Sequence, residues 1–255
     1  MAAALRSLIQ LGELRPRETP CQANPRWRSG ADSSEGQGGR PCRVGRCPVS
    51  SNPRAARGLR SEPLILGSVS LGHVEHVRWA RDLAEQLLAD PLPRRWAHSQ
   101  GVGSKAESIA HLVGADADVL VCAAWVHDIG YAPDLVKTGS HAFDGARYLR
   151  DVMHADERLC RLVANHTYAI VEARRRGLAE ALAAEFPIVD GLVADALVYC
   201  DMTTSPGGDQ VDVRARLSEI LERYGAGDIV SDSIAEAMSR IIQSVQNVMI
   251  TQPGH

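Results

Sequence analysis

From about Ser70 onward the apolar residues recur close to every 3.6 positions, and no alternating run is long enough to make a useful strand. A chain patterned this way can bury its apolar stripes only by packing helix against helix, so the fold class it predicts is all-α. Helices are predicted over 70–89, 93–113, 118–128, 140–153, 156–171, 177–185, 190–202, 211–224 and 231–249. The breaks carry helix punctuation: Pro91 and Pro93, Gly114, Gly130 with Pro133, Gly139, Pro187, Pro206-Gly207-Gly208 and Gly225-Ala226-Gly227. The periodic part, residues 63–255, is about the size of one domain.

Residues 1–62 read differently. They are rich in Arg, Gly, Pro and Ser, hold no lysine and show no sustained period, so this stretch is expected to be disordered. It reads as an arginine-rich targeting extension or, the favoured reading, as upstream sequence included through a misassigned start, since Val69 and Val74 lie where the periodicity begins. Cys21, Cys42 and Cys47 fall here, whereas Cys122, Cys160 and Cys200 stand singly in apolar segments, which is no disulfide framework and fits a cytosolic setting. No apolar run reaches the roughly 18 residues needed to cross a bilayer, so no membrane association is expected. A net charge of -3 argues against general binding to nucleic-acid backbones.

The chemistry lies in ionisable residues placed on apolar helix faces. His98 shares a face with Val102, Ile109 and Val113; His166 follows Leu159, Leu162 and Val163; Asp201 follows Ala194, Leu197 and Val198. His141 aligns with Gly145, Tyr148, Leu149 and Val152, and Gly145 is small enough to let another backbone approach. His127 and Asp128 end the most apolar helix in the chain. Any one of these has an ordinary explanation as a hydrogen-bonded core residue. Six together do not, because buried unpaired carboxylates cost several kcal/mol and a divalent cation satisfies all six at once. Four imidazoles and two carboxylates suit first-row metals.

His111 and His154 fall on the opposite helix sides and are expected to face solvent. His73 and His76 lie near the stripe of the first helix, where packing is the favoured reading and contact with the site the other. The two lysines of the chain, Lys105 and Lys137, are candidates for holding a substrate phosphate, with Arg147 a weaker one. Lys105 lies two turns beyond His98, about 10.5 Å at the standard helical rise. The alternative for both lysines is a solvated surface charge.

In their order, RWAHSQGV, AAWVHDIGY, SHAFDGARYL, VANHTYA and LVYCDMTTSPGG resemble the HD superfamily of metal-dependent phosphohydrolases over Arg94 to Gly208. The presence of His141 and His166 is similar to its two-metal members, and the surrounding sequence to bacterial dinucleoside tetraphosphate hydrolases. The resemblance implies a helical core over 94–208, with helices at 211–249 outside it that cover the pocket or support a homodimer. It implies that His98, His127, Asp128 and Asp201 hold one divalent metal (Fe, Mn, Zn, Co or Mg) and that Asp128 bridges to a second held by His141 and His166. It further implies a metal-activated water that attacks a phosphorylated small molecule such as a nucleotide, with Lys105 or Lys137 on its phosphate. Two alternatives stay open: a di-iron oxygenase with the same ligands, and a nucleotide-binding regulatory protein without turnover.

Overall fold

The computed structural model describes residues 73–252, so the expectations for residues 1–62, the N-terminal cysteines and the Val69 start lie outside the described residues. The described chain is helical: α1 (His73–Leu88), α2 (Pro93–Ile109), α3 (Ala117–Val126), α4 (His141–Asp151), α5 (Glu157–Asn165), α6 (Ile170–Arg175), α7 (Ala179–Glu185), α8 (Leu192–Met202), α9 (Val213–Tyr224) and α10 (Ile229–Thr251). Among the described residues the only ladder-type pairing is an isolated antiparallel bridge between Thr204 and Gln210.

Helix α3 is the hub. Leu120 through Val126 are all buried, and α1, α2, α5 and α8 pack around them. Such a helix cannot be amphipathic, because each side faces another apolar stripe. A second cluster, built from Val198, Met202, Leu217, Ile220, Ile241 and Val245, joins α8 to α9 and α10. Each fully buried Leu or Ile stabilises the fold by about 1.5–3 kcal/mol, so these two clusters decide how the helices sit. Three helix starts are capped as their sequences suggest: Asp156, Asp212 and Asp228 accept hydrogen bonds from main-chain amides one turn into α5, α9 and α10.

The predicted bounds hold to within a few residues except in two places. The helix expected over 93–113 gives way at Ala110 to a 3-10 segment, Ala110–Asp116, that bends at Gly114 (φ 57°, ψ −117°). That bend divides the most apolar part of the chain into separate core helices, although by length and composition the run from Pro93 to Tyr131 suffices to span a membrane. The helix expected over 156–171 breaks at Asn165, and Thr167 (φ 48°) and Tyr168 (φ 60°) both enter the left-handed region before α6 begins. A β-branched residue there costs on the order of 1–3 kcal/mol and persists only where its surroundings impose it. The site supplies that constraint.

Two glycine contacts fix the helices that carry the site. A Cβ on Gly130 would fall 1.9 Å from the His141 carbonyl oxygen, so the turn after α3 lies directly on the first turn of α4. One on Gly101 would fall 2.3 Å from the Gly208 oxygen, so α2 lies against the loop that follows α8. Gly208 itself has φ 91°, which glycine adopts without strain.

Candidate metal centre

The six predicted residues meet. His98 leaves the middle of α2; His127 and Asp128 follow the end of α3; His141 opens α4; His166 follows the end of α5; Asp201 sits near the end of α8. All except His141 are buried, and His141 is half-buried. Their donor atoms form two groups, His98 with His127 and Asp201, and Asp128 with His141 and His166, each set lying within 4.8 Å. The groups adjoin, with His127 Nε2 3.5 Å from Asp128 Oδ2, and within the second group Asp128 Oδ1 is 3.5 Å from His141 Nε2.

Main-chain carbonyls set the ring orientations. His127 Nδ1 donates to Ala124 O (2.9 Å), His166 Nδ1 to Val163 O (2.6 Å) and His98 Nδ1 to Ser205 O (3.0 Å). With Nδ1 committed, each Nε2 faces the centre. The close approach of α2 to the Gly208 loop is what brings Ser205 within reach of His98. The break after His166 turns Thr167 Oγ1 onto Asp201 Oδ2, to which it donates a hydrogen bond, so the left-handed backbone at Thr167 orients a carboxylate.

These residues fit a divalent cation. His127 Nε2 is buried with no hydrogen-bond partner among the described residues, although it faces Asp128 and Asp201. His141 Nε2 and His166 Nε2 are 3.2 Å apart, two nitrogens of one kind turned on the same point. The His98 ring has oxygen at both nitrogens, Ser205 O and, at 3.1 Å, Asp201 Oδ1. A cation at Nε2 would displace the proton there.

The electrostatics are those of a ligand set. Burial opposes ionisation of Asp128, yet the Arg95 charge and then the neighbouring imidazoles hold its carboxyl well below the ordinary value. Asp201 behaves likewise, with burial outweighed by the His98 hydrogen bond. Burial pushes His127 down, and His141 down to about 3, leaving neutral imidazoles. For His98 burial acts the same way, but the hydrogen bond and charge of Asp201 overcome it and raise the value.

Arg95 was not anticipated. Its Nη1 lies 2.7 Å from Asp128 Oδ2, and its guanidinium covers the Tyr131 ring at 3.9 Å. Tyr131 in turn stacks on His141 at 4.1 Å between ring centres. The signal was present in the sequence, because Arg95 precedes His98 by three residues and so lies near its face.

Lys105, Lys137 and Arg147 do not line the cleft at the centre. The Lys105 ammonium donates to Thr203 O and Thr203 Oγ1, both at 2.6 Å, and lies outside the cleft at the centre. A side chain so occupied ties α2 to the end of α8. Lys137 also lies outside the cleft; its main-chain N donates to Asp144 Oδ2, so the loop it sits in is held by that buried carboxylate. Arg147 pairs with Glu185 and covers Phe143, joining α4 to α7. His76 lines a separate groove with Trp79 and Met153, so it does not reach the site; the His73 side chain lies outside the described residues. His111 and His154 are exposed, as expected.

The centre opens into a cleft, open to solvent, whose far wall comes from α9 and α10 through Arg216, Ile220, Arg223, Tyr224 and Ile234. The helices predicted at 211–249 therefore cover the pocket.

No curated protein and no solved structure matches this chain. The similarity to dinucleoside tetraphosphate hydrolases thus gains no support from relatives. The HD domain family matches residues 95–199, which include five of the six clustered residues and stop two short of Asp201. On that match and the convergence of its histidines and aspartates, the chain carries an HD domain over residues 95–199.

Proposed function

We propose that this protein is a metal-dependent phosphohydrolase that cleaves a phosphate ester or anhydride of a small molecule such as a nucleotide. His98, His127 and Asp201 would hold one divalent ion and Asp128, His141 and His166 a second. The observation that carries this reading is the buried, unpartnered Nε2 of His127 at the meeting point of both groups. Divalent ions held there supply a water of lowered pKa and neutralise charge on phosphoryl oxygens.

The remaining work belongs to the chain. Thr167 and the carbonyls of Ala124, Val163 and Ser205 hold the ligands in one orientation. Arg95 fixes Asp128 and places positive charge at the mouth, where a phosphate enters. Met202, Ile220, Val230 and Ile234 add apolar surface to a lining that also holds Arg216 and Arg223, which limits water around a bound substrate.

The test is elemental analysis of the purified full chain followed by phosphate release from a panel of nucleotides, dinucleoside polyphosphates and sugar phosphates. Bound divalent metal and release that continues without oxygen are expected, and the second distinguishes hydrolysis from di-iron oxygenation. Asp128→Ala should lose both metal and turnover while keeping its helical circular dichroism. Turnover retained in that variant would overturn the assignment, and tight nucleotide binding without turnover would point to a regulatory protein.

A further inference from the structure

Beside the cleft lies a second recess, lined by Pro91, Leu92, Pro93, Pro206 and His98 together with four arginines: Arg94, Arg95, Arg216 and Arg223. Arg95, Arg216 and Arg223 line the cleft as well, so the two spaces share a wall. Arg95 reaches Asp128 from that wall, which puts the recess one side chain away from the metal centre.

The charges in this wall do not cancel. Arg95 is paired with Asp128, and Glu219 is shared between Arg216 and Arg223 from α9, outside both linings. Four guanidiniums thus face two carboxylates. Arg216 is buried, its side chain 6% exposed, and its Nε has no hydrogen-bond partner among the described residues. A buried guanidinium donor left unpaired is costly, and this one belongs to a side chain that lines both the recess and the cleft.

The main chain points the same way. Helix α2 begins here at Pro93, with Leu92 at its N-cap giving no side-chain hydrogen bond and with no acidic residue in the first turn. That end carries the positive partial charge of a 17-residue helix, although Pro93 has no N–H and the Arg95 and Trp96 amides already bond Leu92 O. Arg216 and Arg223, seven residues apart on α9, fall on one face and bring their charge from outside the matched family span.

We infer that this recess is an anion subsite for a second phosphate of the substrate, so that the hydrolysed molecule carries at least two linked phosphates, one at the metal centre and its neighbour among the arginines. The substrate class is then a phosphoanhydride, and a simple monoester engages only half of the site. This inference rests on the phosphohydrolase reading for its reaction, but the recess can be tested without turnover.

The probes are inorganic pyrophosphate and orthophosphate, titrated calorimetrically into the purified full chain. Pyrophosphate is expected to bind more tightly than orthophosphate by about tenfold or more, the worth of one added charge-assisted contact. Arg223→Gln and Arg94→Gln should each weaken pyrophosphate by about tenfold and orthophosphate by clearly less, with metal content unchanged. Arg216→Gln should do so more strongly, and because that residue is buried its folding is checked by circular dichroism, the two more exposed sites carrying the test if it fails. Arg158→Gln, which removes an exposed arginine paired with Asp116, is the control for general charge loss. Equal affinity for the two anions, or pyrophosphate binding indifferent to Arg94 and Arg223, would overturn the subsite even if the chain hydrolyses monoesters. Arginine-dependent pyrophosphate binding in a chain with no turnover would keep the subsite and discard the hydrolase.

Discussion

Residues that orient ligands are as informative as the ligands. Thr167 has an unfavourable backbone for a β-branched residue, and its hydroxyl is spent on Asp201. Removing such an orienting partner typically costs about 10–100-fold in metal affinity or activity. Thr167→Ala is expected to show that loss with unchanged helicity, and Thr167→Ser to stay within a few-fold of the parent. Metal titration and steady-state rates measure both, and a wild-type Thr167→Ala would mean that the strained turn serves packing alone. Arg95→Gln is expected to act through Asp128, whose carboxyl loses the charge that holds it ionised against burial. Lys137→Gln should change nothing, since the charge lies away from the cleft.

At the scale of elements, the centre depends on helix ends held at backbone distance. The turn at Gly130 presses on the start of α4, from which His141 projects, so the spacing there sets the distance between Asp128 and His141. Gly130→Ala forces that contact apart and is expected to destabilise the fold by about 1–3 kcal/mol and to lower metal content. Gly145→Ala, whose Cβ would meet its nearest neighbour at 3.1 Å, should cost clearly less. Thermal unfolding of the two variants beside their metal content decides the matter, and equal losses would show that α4 shifts freely. The same reasoning assigns Asp144 a structural part: buried in α4, it accepts the amides of Lys137 and Thr138 and so shapes the loop that delivers Ser140 and His141.

Across the whole molecule, burial of titratable groups makes stability depend on alkaline pH. Burial raises the thiols of Cys122 and Cys160 to about 12, and moves Cys200 and the Tyr131 phenol upward as well. An acid whose folded value is raised favours the folded state while it is neutral in both states. That contribution is full below the unfolded thiol value of 9.0 and declines as pH rises from there toward 12. Lys105, lowered by burial, acts in the opposite direction but is one group against four. Denaturant unfolding between pH 8 and 11 should therefore show a falling stability, and a flat profile would contradict the buried setting of these thiols.

How much of this was readable beforehand differs by kind of information. Helical period and inward phase depend on near neighbours in the chain, so they located all but two of the helix bounds and picked His98, His127, Asp128, His141, His166 and Asp201 out of nine histidines and many acidic residues. Phase says which way a side chain points, not what it meets. It could not tell that Lys105 would be taken up by Thr203, that Arg95 would reach Asp128, or that Arg216 and Arg223 would arrive beside the centre from α9. Those pairings join residues from 33 to more than 90 positions apart, and only the packing of α2 and α8 on the buried α3, with α9 on α8 and α10, chooses among them.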